Sequence, residues 1–259
     1  MKVTIRSLLA VSLLMSNGTA LAGEVRLAIA ANFHDAAESL AARFEDKTGH
    51  NTRISYGSTG KLYAQIRHGA PFDVFLAADQ ERPRLMEKNS LGVPGTRFTY
   101  AEGKLVLWSP DTQAFEDPET FLKAGDFRRL AIANPRTAPY GLAARQTLEH
   151  LGLWASLEKQ LVRGESIAQT FQFVATGNAH AGFVAQAQLR DDHESGARWD
   201  VPDRFHDPIS QQAILLVRGL DNDAAGAWLD FLASSEARDI IRQYGYDIPQ
   251  ATEQPMERQ

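Results

Sequence analysis

The sequence has no cysteine, which excludes structural disulfides, thiolate metal sites, a cysteine nucleophile and a lipidated N-terminal cysteine. It has no apolar run long enough to cross a bilayer and no short repeat or low-complexity segment. Its histidines (His34, His50, His68, His150, His180, His193, His206) are scattered without paired metal-ligand spacing. Asp191-Asp192-His193-Glu194, the one compact acidic run, reads as a solvated loop. Positive charge is also in deficit: 27 Lys+Arg against 32 Asp+Glu leave −5, which disfavours a general nucleic-acid or anionic-membrane binder. What remains is ordinary globular material, with 44% hydrophobic residues, 23% charged residues and a mean hydropathy of −0.30. Whole-chain disorder, collagen-like repeats and coiled coil are thereby excluded, and 259 residues suit one large or two modest domains.

The N-terminus carries a compartment signal. Lys2 and Arg6 precede the apolar run Leu8-Leu9-Ala10-Val11-Ser12-Leu13-Leu14-Met15, then a polar break and the small-residue signature Ala20-Leu21-Ala22. This pattern predicts a secretory signal peptide over residues 1–22, cleaved after Ala22. Losing the two positive charges of Lys2 and Arg6 takes the formal net charge from −5 to −7. The mature chain is expected to be acidic, soluble and exported.

Beyond residue 22, short apolar strands alternate with amphipathic helices, the mark of an α/β fold. Strands are expected at residues 25–31, 53–56 and 73–78, separated by helices carrying Leu40, Ala41 and Phe44, then Leu62, Tyr63 and Ile66. The alternation restarts with strands at 104–108, 129–133, 160–163 and 181–185. A polar stretch follows, then a strand at 212–217 and two closing helices, one with Trp228, Phe231 and Leu232, the next with Ile240, Ile241 and Tyr244. Two rounds of strand–helix–strand–helix–strand predict two lobes rather than one barrel. The closing elements return to the first lobe, so the chain crosses twice and forms a hinge. The expected division is 23–103 for the first part of lobe 1, 104–208 for lobe 2, 209–250 for the return to lobe 1, and a loose tail at 251–259.

Four strand-to-helix junctions are candidates for chemistry: Ala31-Asn32-Phe33, Gly57-Ser58-Thr59-Gly60, Ala138-Pro139-Tyr140-Gly141 and Glu165-Ser166-Ile167. Free N–H groups and the positive helix end make such junctions anion sites, although Ser, Thr and Asn are also the ordinary N-caps of any helix. Spacing alone does not show that the four converge.

Several blocks resemble the periplasmic molybdate-binding proteins of ABC importers. They are Leu27-Ala28-Ile29-Ala30-Ala31-Asn32-Phe33, Ile54-Ser55-Tyr56-Gly57-Ser58-Thr59-Gly60-Lys61-Leu62-Tyr63-Ala64-Gln65-Ile66, and Gly69-Ala70-Pro71-Phe72-Asp73-Val74-Phe75-Leu76-Ala77-Ala78-Asp79. Gly103-Lys104-Leu105-Val106-Leu107-Trp108-Ser109, Ala133-Asn134-Pro135, Ala138-Pro139-Tyr140-Gly141, Ala181-Gly182-Phe183-Val184-Ala185 and Tyr244-Gly245-Tyr246 follow in order. The resemblance implies a type II two-lobed α/β binding protein, each lobe a mixed sheet flanked by helices. It implies capture of molybdate or tungstate between the lobes and delivery to a membrane permease driven by a cytoplasmic ATPase. No catalysis and no cofactor are implied, and the expected product is a periplasmic monomer. Carried over by motif, the oxyanion donors would be Asn32 through backbone and side chain, Thr59 with Ser58 beside it, and the backbone N–H groups of Tyr140 and Ile167. A tyrosine hydroxyl that some members place after the Gly-φ-Val strand is missing, because Ala185 stands there; Asn32 is the candidate to compensate.

The chemistry of the junctions agrees with that implication. Molybdate near neutral pH is a dianion without a proton to give, so its site requires donors and no carboxylate. Helix dipoles and N–H groups supply these without a formal countercharge. Lys61, Glu165 and Arg136 lie near the junctions and read as solvated surface charges. Two alternatives remain at this stage: a receptor for sulfate or phosphate, and a secreted serine hydrolase using Ser58 or Thr59. Gly57-Ser58-Thr59-Gly60 is neither a Gly-x-Ser-x-Gly elbow nor a P-loop.

Overall fold

The computed structural model describes residues 22–190 and 195–249. The expected signal segment except Ala22, the Asp191-Asp192-His193-Glu194 run and the C-terminal tail lie outside the described residues. The strands are β1 (Glu24–Ala30), β2 (Asn51–Gly57), β3 (Val74–Ala77), β4 (Phe98–Gly103), β5 (Leu105–Ser109), β6 (Leu130–Ala133), β7 (Leu161–Gly164), β8 (Ala181–Ala185), β9 (Ala197–Asp200) and β10 (Ile209–Leu215). They form two five-stranded mixed sheets, ordered β2-β1-β3-β10-β4 and β7-β6-β8-β5-β9. The fold is a two-lobed α/β architecture. In the first sheet β1 is parallel to β2 and β3, while β10 inserts antiparallel between β3 and β4. The chain passes from one sheet to the other at Lys104 and returns between β9 and β10.

Both sheets are covered on both faces, and the strand sequences show why. Val25, Leu27 and Ile29 of β1 share one core with Val74 and Leu76, whereas Ala28 and Phe75 face the opposite one. Leu105 and Leu107 of β5 likewise part from Val106 and Trp108. This period of two with apolar residues on both faces is the signature of a buried strand. Helix α1 (His34–Thr48) lays Leu40, Ala41 and Phe44 into the first core and ends where Gly49 adopts φ +73°. The first lobe adds α2 (Thr59–Arg67) and α3 (Glu81–Lys88). The second contains α4 (Pro118–Ala124), α5 (Pro139–His150), α6 (Trp154–Leu157) and α7 (Ile167–Ala175). The closing helices α8 (Asp223–Leu232) and α9 (Ser235–Gln243) pack back on the first lobe, where Trp228 meets Phe44 edge-on at 5.2 Å between ring centroids.

Two strands escape the sequence expectation. Strands β4 and β9 are sheet edges, with half-solvated sequences Phe-Thr-Tyr-Ala-Glu-Gly and Ala-Arg-Trp-Asp, so no continuous apolar run marks them. Strand β10 starts three residues before the expected 212, because Ser210, Gln211 and Gln212 are buried polar residues inside it.

Candidate functional site

The four junctions do converge. The end of β1 with the 3-10 turn Ala31–Phe33, the β2–α2 junction, Ala78 after β3, and the N-termini of α5 and α7 line a small, partly open cavity between the sheets. Asn32, Ser58, Thr59, Tyr140 and Ile167 all line it, together with Ala30, Ala31, Gly57, Ala78, Ala138 and Pro139. None of these lining residues is charged. Three helices of nine or more residues point their N-termini at this space. Their first-turn N–H groups have no intrahelical acceptor, and their dipoles favour negative charge. Thr59, Tyr140 and Ile167 occupy these turns. Pro139 at the start of α5 has no N–H of its own, which leaves that of Tyr140 among the leading donors there.

The hydroxyls divide the work. Ser58 Oγ is buried and has no hydrogen-bond partner among the described residues. Thr59 Oγ1 accepts the Ala78 N–H at 3.0 Å, which fixes its rotamer and leaves its O–H to donate. A nucleophilic serine needs a base to accept its proton, and among the described residues no base is hydrogen-bonded to Ser58 Oγ.

Asn32 is held from behind. Its Nδ2 donates to Gln211 Oε1 at 2.8 Å and to Tyr246 Oη at 3.1 Å, while Tyr246 O–H donates to the Asn32 carbonyl at 2.6 Å. Both amide hydrogens are thus engaged away from the cavity. This departs from the expected use of the Asn32 side chain as an oxyanion donor, and leaves its backbone N–H for that role. Behind it, Tyr140 Oη and Gln211 Nε2 are buried and, among the described residues, make no hydrogen bond of full geometry, although Gln211 and Asn32 are polar neighbours of the Tyr140 hydroxyl. Burial pushes the phenols of Tyr100, Tyr140 and Tyr246 upward, so all three stay neutral and add no negative charge behind the site. Asp79, one residue beyond the lining, is also pushed upward by burial, opposed by Arg82, whose Nη1 lies 2.8 Å from Asp79 Oδ2.

A family model for bacterial extracellular solute-binding proteins matches residues 25–247. The chain belongs to that family. The solute-binding chain is 49% identical over 229 residues to the molybdate-binding protein ModA of Azotobacter vinelandii, covering 88% of this chain and 91% of that one. It is 48% identical over 227 residues to the molybdate-binding protein ModA of Rhodobacter capsulatus, covering 88% and 89%. The solved structure of the Azotobacter vinelandii periplasmic molybdate-binding protein superposes with a TM-score of 0.84 at 38% identity, covering 87% of this chain and all of that one. These relatives are solute-binding transport proteins, not enzymes.

In this solute-binding chain the cavity collects the five residues named as candidate donors, Asn32, Ser58, Thr59, Tyr140 and Ile167, but not Phe33, Gly60, Gly141, Glu165 or Ser166 of the same junctions. Ala185 ends β8 inside the second core, fully buried and outside the cavity lining. The supporting residues Gln211 and Tyr100 carried no sequence signal, and Tyr246 was visible only as part of the final Tyr-Gly-Tyr block. Lys61 and Glu165 are exposed as expected, yet they pair with each other across the cleft at 2.5 Å. Among the described residues no group of three or more His, Asp or Glu could hold a metal ion, and no helix is long and apolar enough to cross a membrane.

Proposed function

We propose that this chain captures molybdate, and tungstate at the same site, between its two lobes in the periplasm. It delivers the oxyanion to an ABC permease driven by a cytoplasmic ATPase. The observation that carries the reading is a cavity at three helix N-termini lined by neutral groups alone, with Ser58 Oγ buried and unpartnered. Such a site suits a fully deprotonated tetrahedral dianion: every oxygen needs donors, and a carboxylate would repel it. The near-half identity to two molybdate-binding proteins over almost nine-tenths of the chain supports the choice of solute. Asn32, Thr59, Tyr140 and Ile167 donate through backbone N–H groups, and Ser58 and Thr59 through hydroxyls. Segments 23–103 and 209–250 move as one lobe against 104–208, and the mature monomer begins after Ala22.

Calorimetry of the mature protein with molybdate, tungstate, sulfate and phosphate tests this. One site of high affinity for the first two is expected. Sulfate is smaller and leaves the donors stretched, and protonated phosphate brings a donor to a site made of donors. Equal affinity for sulfate and molybdate would overturn the assignment.

A further inference from the structure

The two lobes are bonded directly to each other beside the cavity. Gly60 N–H, in the first turn of α2, donates to the Thr137 carbonyl of the second lobe at 2.8 Å. Its neighbour Lys61 places Nζ 2.5 Å from Glu165 Oε2, just ahead of α7. Arg82 Nη2 reaches the Arg136 carbonyl at 3.5 Å. Each contact joins an element of the first sheet's lobe to one of the second's, and none involves a residue that lines the cavity.

Gly60 is not demanded by backbone conformation. It is helical and absent from the glycines with positive φ, and alanine is the better helix former at such a position. Its lack of a side chain matters for approach. A Cβ there would stand 3.0 Å from both the Cα and the carbonyl oxygen of Thr137, backbone atoms that cannot rotate aside. The Gly60 N–H is one of the unsatisfied first-turn donors of α2, yet it is committed to the opposite lobe.

We infer that Gly60 and the Lys61–Glu165 pair form a closure latch: positioning residues that set oxyanion affinity without touching the oxyanion. The inference rests on capture between the lobes as proposed above. Bonds made only when the lobes meet raise the fraction of protein that is competent to hold the solute. Losing them raises the apparent Kd by the same factor for every solute that needs closure. The ratio of molybdate to tungstate affinity therefore stays constant, whereas a residue that contacts the anion is free to change it.

The test measures affinities for molybdate and tungstate in Gly60→Ala, Lys61→Gln and Glu165→Gln, with thermal melting of each ligand-free protein. Gly60→Ala is expected to weaken both anions by one common factor, about threefold to tenfold, for one lost hydrogen bond. Its ligand-free melting temperature stays the same or rises. Lys61→Gln and Glu165→Gln should each weaken binding about twofold to fivefold, as befits an exposed pair, and less at high salt. The two neutralisations separate a latch from a simple field effect. A field effect alone would make Glu165→Gln bind the anion more tightly, because a negative charge has been removed. The absence of cysteine permits spin labels at Ala42→Cys and Lys159→Cys, both exposed and one on each lobe, and Gly60→Ala should widen the distance between them. Unchanged affinity in Gly60→Ala, or tighter binding in Glu165→Gln, overturns the latch. If the wild-type protein binds none of the oxyanions, the molybdate reading falls by itself. The latch is then judged by the label distances without ligand, and identical distributions in wild type and Gly60→Ala overturn it.

Discussion

The side-chain amide of Asn32 donates to the side-chain carbonyl of Gln211 at 2.8 Å, joining the end of β1 to a strand 179 residues further along the chain. Gln211 is fully buried at a register shift between β10 and β4, the strands that carry the chain to and from the second lobe. The turn that carries Asn32 is therefore braced by the strands on either side of the two chain crossings. Gln211 Oε1 also lies 3.3 Å from the Tyr100 hydroxyl, so one acceptor serves two buried donors. Gln211→Leu should destabilise the ligand-free protein by about 1–3 kcal/mol, the cost of stranding the Asn32 amide hydrogen, since the Tyr100 hydroxyl keeps the Ala77 carbonyl at 3.3 Å. It should also weaken anion binding, because Asn32 loses one of its tethers. Urea denaturation and calorimetry check the two effects separately, and a variant as stable and as avid as wild type would dismiss the brace.

The two hydroxyls of the cavity should respond differently to removal. Ser58 Oγ has no partner among the described residues, so Ser58→Ala leaves ligand-free stability unchanged or slightly improved. Binding should weaken by roughly 1.5–3 kcal/mol, the range for a hydrogen bond to a charged group. Thr59→Ala removes a donor to the anion and also the acceptor of the Ala78 N–H. It should lose similar affinity and about 1–3 kcal/mol of ligand-free stability as well. Melting curves with and without molybdate distinguish the pair; equal ligand-free stability in both variants would contradict the assignment of Thr59.

Gly103 and Tyr140 should be coupled. A Cβ at Gly103 would fall 2.0 Å from the Tyr140 hydroxyl oxygen and 3.0 Å from Gln211 Nε2. Gly103→Ala is expected to cost about 1–3 kcal/mol through overpacking. Tyr140→Phe alone should cost no more than about 1 kcal/mol, since the hydroxyl it deletes makes no hydrogen bond of full geometry among the described residues and has only Gln211 and Asn32 as polar neighbours. Combining the two should recover part of the loss, because the worst contact is gone while Cζ remains 2.9 Å from the new methyl. A double-mutant cycle in denaturant measures this coupling, and strict additivity would refute it.

What the sequence made legible, and what it hid, follows from where the chemistry resides. Ser58, Thr59, Tyr140 and Ile167 could be found because strand-to-helix junctions are local, written in a few neighbouring residues each. Gln211 and Tyr246 could not, because their role depends on Asn32, 179 and 214 residues away. Ser210 and Gln211 continue the polar stretch ahead of the expected strand at 212, yet both lie inside β10, where Ser210 Oγ meets Glu102 Oε1 at 3.4 Å and Gln211 Oε1 accepts from Asn32. The lobes were visible in the apolar runs of β1, β3, β5, β6 and β8, all sheet interiors. Edge strands β4 and β9 lack the two-sided burial that imposes such a run. Lys61 and Glu165 are solvent-exposed charges, as their composition suggests; their pairing is a product of two lobes meeting, which no local pattern encodes.

Asp79 and Arg82 give the protein a specific pH dependence. Burial raises the Asp79 carboxyl above its ordinary value of 3.8, and the Arg82 guanidinium opposes that shift. A carboxyl with a raised folded-state value holds its proton longer in the native protein than in the unfolded chain. Its burial penalty is therefore absent in acid, and grows as pH rises through the unfolded and then the folded value. Arg82→Met removes the opposing cation and should raise the carboxyl further. The variant should be clearly less stable than wild type at neutral pH, and the gap should narrow as the pH falls and Asp79 becomes protonated in both states. In an Asp79→Asn background the cost of Arg82→Met should lose most of its pH dependence, leaving only what the exposed Glu81, 3.3 Å from Arg82 Nη1, contributes. Melting temperatures from pH 3 to pH 8 for wild type, Arg82→Met, Asp79→Asn and the double variant decide it. A gap that stays constant across the range would show that Arg82 acts through packing of its stem and not through the buried charge.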